Sequence, residues 1–234
     1  MTSEETAHHL LSGEIEVVGR INASSNQALL VQVHHEGRSI EACFKTELGE
    51  RPLWDFPDGL WRREVAAFEL SHMMNLDLVP ETVGRAESEF GPGSLQRWIT
   101  ATEDHYFTLR EDSRLETWFT ELACWDFIAN NTDRKSGHVL FDGTRCWAID
   151  QGLCFGEEDK LRTVIWDFAG SPIPASVSSG ISKLLETQGG TLNDWLSLDE
   201  VTATLERATW LEAQGELPFP DEENEWPPYP WPLI

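Results

Sequence analysis

The chain is poor in cysteine, in basic residues and in long apolar runs, and each shortage excludes something. Four cysteines among 234 residues, Cys43, Cys124, Cys146 and Cys154, have no CxxC spacing and sit in apolar contexts. They read as buried, reduced thiols, not as a disulfide framework or a zinc site. Only 17 Lys and Arg stand against 41 Asp and Glu, for a formal charge of −24. Such a surface repels nucleic acid and anionic lipid, so no nucleic-acid or membrane partner is expected. No stretch approaches the roughly 18 apolar residues that span a bilayer. The opening MTSEETAHHLLSGE has neither a basic start nor an apolar core of the secretory kind. A cytoplasmic location is the expectation.

What is present is a globular composition, 40% hydrophobic with 11 tryptophans, long enough for a substantial core. Alternating segments predict strands over 14–20, 28–35 and 38–45, joined by short loops as an antiparallel meander. Helical spacing predicts a helix over 61–75, with LVPETVGR and GSLQRWI as two further strands. Leu115, Trp118, Phe119, Leu122 and Trp125 form one stripe of a helix over 114–130. HVLF and RCWAID predict a hairpin around Asp142-Gly143-Thr144, and helices are expected at 159–170, 175–188 and 198–214. The order divides the chain into a flexible leader (1–13), a β-rich lobe with one helix (14–100), a mainly helical lobe carrying the hairpin (101–217) and an acidic Pro/Trp-rich tail (218–234). This is an α+β chain with two lobes and a cleft between them.

Phosphoryl transfer needs N–H groups around phosphate, a cation, metal-binding carboxylates and a carboxylate that orients the nucleophile. The small polar turn containing Ser24, Ser25 and Asn26 is suited to the first task, as would be any polar hairpin loop. Lys45 ends a strand after the apolar EACF, and Glu64 follows it by 64 − 45 = 19 positions, early in a helix. Asp133 and Asp150 bracket the hairpin, which would return them to one edge. Each residue alone also reads as an ordinary surface or turn side chain; the combination carries the argument.

The segments NNTDRKSGHVLF and AIDQGLCF resemble the catalytic segment of the phosphatidylinositol 3-/4-kinase-like superfamily, which includes the HipA-like bacterial kinases. FKTELGERPLWDFPDGLWRREVAAFELS resembles the N-lobe of small bacterial members. The resemblance implies a compact bilobal protein-kinase-like fold that binds ATP and a divalent metal, Mn²⁺ or Mg²⁺. It implies Asp133 as catalytic aspartate with Arg134 beside it, Lys45 on the phosphates with Glu64 as its partner, and Asp150 on the metal. Gln96 and Trp98 would lie at the adenine-binding hinge. The family's Asp-Arg-His reads Asp133-Arg134-Lys135 here, and its metal-binding asparagine falls on His138. The function expected is transfer of a phosphoryl group to a hydroxyl of an unidentified protein or small-molecule acceptor. The alternatives are a pseudokinase that binds nucleotide or a partner, AMP transfer, and lipid phosphorylation.

Overall fold

The computed structural model describes residues 1–21, 27–220 and 226–234. The first surprise is at the start, where Ser3–Ser12 is a helix, α1, and not a flexible leader. Thr2 Oγ1 accepts from Glu5 N at 3.2 Å and Glu5 Oε2 accepts from Thr2 N at 2.9 Å, a reciprocal cap. Fully buried Leu10 joins the sheet core, and Arg85 donates to Leu10 O and Gly13 O at the helix end.

The meander follows as expected: β1 (Glu14–Arg20), β2 (Leu29–His35) and β3 (Arg38–Thr46) are antiparallel. Helix α2 (Trp61–Met73) comes next, then β4 (Thr82–Arg85) and β5 (Gly93–Arg97). The five strands pair in the order β1-β2-β3-β5-β4. Val31, Val33, Ala42, Phe44 and Leu95 fill the core behind this sheet. Within 14–100, α2 is the one α-helix among the described residues, as expected, and α1 packs against this lobe from the segment before it.

Short α3 (Tyr106–Leu109) and long α4 (Glu116–Ile128) begin the second lobe, and β6 (Val139–Phe141) pairs with β7 (Cys146–Ala148) as the hairpin. Helices α5 (Ala175–Glu186) and α6 (Leu198–Gln214) complete it. Phe119, Leu122, Trp125 and Ile128 of α4 are fully buried, so the predicted stripe is the face that enters the core. The helix expected over 159–170 does not form; only the single turn Trp166–Phe168 is helical. Its backbone has distant partners instead. Arg134 N donates to Arg162 O at 3.0 Å, Val164 N to Arg134 O at 3.1 Å, and Thr163 N to Pro228 O at 3.0 Å. Long-range pairing overrides local periodicity here.

The described part of the tail lies across this segment. Pro228 O also accepts from Trp166 Nε1 at 2.9 Å, and Leu233 O accepts from Ser136 N at 2.8 Å. Lys160 Nζ sits 3.7 Å from the Trp226 ring centroid and 5.3 Å from that of Trp54, and is ion-paired to Asp55. All four cysteines are free thiols. No helix among the described residues is long and apolar enough to cross a membrane.

Candidate active site

The cleft between the lobes is built around Lys45. It lies near the end of β3, opposite Ser94 of β5. Its ammonium pairs with Glu64 of α2 and, at 2.7 Å, with Asp150 Oδ1. Burial alone would lower the Lys45 pKa, but the Asp150 and Glu64 carboxylates outweigh it and hold the amine firmly charged. Lys45 in turn holds the Asp150 carboxyl well below the usual carboxylate range, against the opposing effect of burial.

Glu64 reaches Lys45 because α2 is fixed at both its start and its side. Glu50 accepts from the backbone N–H groups of Gly59, Leu60 and Trp61 at 2.7–3.0 Å, which satisfies orphan donors at the helix start and places a negative charge at the positive end of its dipole. Arg63, adjacent to Glu64, donates to Cys154 O at 3.1 Å and pairs with Glu200 of α6. The second oxygen of Glu64 accepts from Gln151 N at 3.1 Å, just past Asp150.

The loop carrying Asp133 is organised by a buried ion pair. The Arg134 guanidinium, fully buried, meets Asp126 of α4 at 2.9 Å and donates to Ile149 O at 2.9 Å. One side chain thus ties α4, the Asp133 loop and the residue before Asp150. Asn131 bonds Asp126 through its amide nitrogen and accepts from Asp133 N through its oxygen, at 2.9 and 3.0 Å. The Asp133 carboxylate accepts from Lys135 Nζ at 2.8 Å. Burial raises the Asp133 pKa, and Lys135 only partly offsets this.

His138 Nε2 lies 3.3 Å from Asp150 Oδ2. Burial is the main cause that depresses its pKa to about 4, so the ring is neutral at pH 7. Asp150 itself adopts a left-handed backbone with φ +63°, uncommon for a residue with a side chain and frequent at functional sites.

Lys45 and Asp150 stand between two cavities. One, of about 250 Å³, is lined by Arg51, Trp61, Glu64, Asp133 and Gly152 among others. The other, of about 510 Å³, is lined by Cys43, Gln96, Trp98, Thr100, His138 and Ile149 with Lys45 and Asp150, and its size suits a small molecule. The backbone N–H of Trp98 donates to Glu41 O at 2.9 Å, so Trp98 contributes wall and not that donor.

The structure therefore brings Lys45, Glu64, Gln96, Trp98, Asp133, His138 and Asp150 to the two adjoining cavities, while Arg134 lies buried behind them and lines neither. Ser24, Ser25 and Asn26 lie outside the described residues. Sequence reasoning missed Asp126, Asn131, Arg63 and Glu50. A signal existed for Asp126: an arginine buried in a loop needs a carboxylate, and Asp126 lies eight residues before Arg134.

Among the described residues no group of three or more His, Cys, Asp or Glu converges on one point. The donors present are the Asp150 carboxylate and the neutral His138 imidazole. That pair fits a divalent cation that takes its remaining ligands from phosphate oxygens and water.

No family model matches the chain. It is 34% identical over 280 residues to Protein Rv2133c of Mycobacterium tuberculosis (strain ATCC 25618 / H37Rv), covering all of this chain and 98% of that one. Among solved structures it resembles the Helicobacter pylori proinflammatory kinase CtkA, with TM-score 0.52, 12% identity, and 88% of this chain and 94% of that one covered. The golgi casein kinase gives TM-score 0.53 at 13% identity, with 93% and 79% covered. Hydra Fam20, solved with sugar, gives 0.54 at 12%, with 90% and 87% covered. The likeness to these three shows a kinase-like fold.

Proposed function

We propose that this chain, which belongs to the family of the Mycobacterium tuberculosis protein Rv2133c, is an ATP- and divalent-metal-dependent kinase that phosphorylates a hydroxyl group of a protein or small molecule. The observation that carries the reading is Lys45, paired at once with Glu64 and Asp150 on the boundary of two cavities, the smaller of which contains Asp133. In this reading the larger cavity takes the nucleotide and Lys45, kept charged and aimed by Glu64, holds its phosphates. Asp133 accepts the proton of the acceptor hydroxyl; a raised carboxyl pKa suits a general base. Asp150 and His138 would hold the cation, which supplies charge neutralisation at the transferred phosphoryl group.

The segments around Asp133 and Asp150 support placing the family near the phosphatidylinositol 3-/4-kinase-like and HipA-like kinases. The charge of −24 argues against a lipid surface or a nucleic acid as partner, and reduced cysteines suit a cytoplasmic site of action. One feature favours a pseudokinase as the second reading: the Asp133 carboxylate is already engaged by Lys135.

Intact mass after incubation with ATP and Mn²⁺ or Mg²⁺, alone and with candidate acceptors, separates the outcomes. Gain of phosphate supports the kinase, and gain of AMP identifies nucleotidyl transfer. Asp133→Asn should reduce transfer by about 100-fold or more and leave nucleotide binding nearly unchanged. Full transfer in that variant removes Asp133 from the mechanism.

A further inference from the structure

Gln96 of β5 lies opposite Cys43 of β3 and Thr82 of β4, buried at the wall of the 510 Å³ cavity. Its amide is not free to turn over. The Thr82 hydroxyl donates its one proton to Pro80 O at 2.8 Å, which leaves it only lone pairs to offer. Gln96 Nε2 meets that hydroxyl at 2.9 Å and must therefore be the donor. The hydrogen-bond network thereby fixes which end of the amide is oxygen. The oxygen points away from Thr82 and accepts from no donor among the described residues.

We propose that Gln96 Oε1, held in this orientation by Thr82, reads position 6 of a purine nucleotide and selects a 6-amino purine over a 6-oxo purine. The inference rests on the reading of this cavity as the nucleotide site. An exocyclic amine donates to Oε1 and completes its hydrogen bonding. A 6-oxo group has only lone pairs to present, and two acceptors would then face each other. Turning the amide to correct this would set its oxygen against the lone pairs of Thr82, whose proton is held by Pro80. Discrimination by leaving a buried polar group unpaired is stronger than discrimination by size.

The test uses the whole chain with Mn²⁺ and two probes, ATP and inosine triphosphate (ITP), whose only difference is at position 6 and the adjoining ring nitrogen. Melting-temperature titrations give the affinities. Wild type should bind ATP about tenfold or more tighter than ITP. Thr82→Val keeps the volume, removes the hydroxyl and frees the amide, so the ratio should fall below about threefold, mainly through tighter ITP binding. Gln96→Leu should weaken ATP about tenfold and ITP little, and decides the matter alone if Thr82→Val does not fold. Equal affinities in wild type, or an unchanged ratio in both variants while ATP still binds, overturns the role of Gln96 and leaves the nucleotide site standing. No shift with either nucleotide overturns both.

Discussion

Lys45 and Asp150, 105 positions apart, meet at 2.7 Å across the cleft between the two lobes. One residue belongs to the sheet of the first lobe and the other to the loop after the hairpin of the second. Their contact makes the cleft a charged seam whose two sides are positioned by the same ammonium group.

Lys45→Ala should therefore lose most of the ATP-induced rise in melting temperature, a fall in affinity of about tenfold or more. It should also weaken the protein without ligand, since Glu64 and Asp150 would share a site with no cation between them. An equal ATP-induced shift in wild type and variant removes Lys45 from the site.

Arg134 and Asp126 are both fully buried, so removal of one leaves an uncompensated charge. Arg134→Met should cost about 3–5 kcal/mol by chemical denaturation, a large share of the stability of an ordinary domain. Arg134→Met combined with Asp126→Leu should cost less than the sum of the two single changes. Additive costs would show that the pair does not act as a unit.

His138 beside Asp150 adds a borderline nitrogen donor to a hard carboxylate. Nucleotide binding should therefore be tighter with Mn²⁺ than with Mg²⁺, and His138→Asn should move the preference toward Mg²⁺. ATP titrations with each metal check this. The same preference in both proteins would take His138 out of the ligand set.

Asp142 makes the hairpin turn, accepting from Thr144 N, Arg145 N and Trp147 Nε1 at 2.8–2.9 Å. Burial would raise its pKa, but the hydrogen bonds from Thr144 and Trp147 prevail and hold the carboxyl far below the usual range. A depressed folded-state pKa contributes stability that is present above the unfolded value of about 4 and is lost as pH falls below it. Asp142→Asn should be less stable by about 0.5–1 kcal/mol at pH 7, solvent screening having reduced the effect at this partly exposed turn. That difference should shrink as pH falls below about 4, as thermal melts at several pH values would show.

The parts of the site that could be read in the sequence are those whose chemistry is local. Lys45 at a strand end, Glu64 early in the next helix, and two aspartates around a hairpin all follow from short patterns. Helix α1 also left a signal, the Thr2…Glu5 cap, but it is short and much of its anchoring comes from Leu10 under the sheet and from Arg85, 75 positions away from Leu10. Residues 159–170 have helical spacing of apolar side chains, yet Arg134 and Pro228 take backbone groups that a helix would have used. The orientation of Gln96 was equally out of reach, because it depends on a hydroxyl on another strand and a carbonyl beyond it.

The bond from Ser136 N to Leu233 O joins the Asp133 loop to a residue 233 − 136 = 97 positions later. During synthesis the chain emerges from its N-terminal end, and folded units form as they appear. A nascent chain that has completed α6 already contains Lys45, Glu64, Asp133 and Asp150, but it lacks the Pro228 and Leu233 carbonyls that hold Thr163 and Ser136. The loop that carries the proposed base is therefore finished after the scaffold around it.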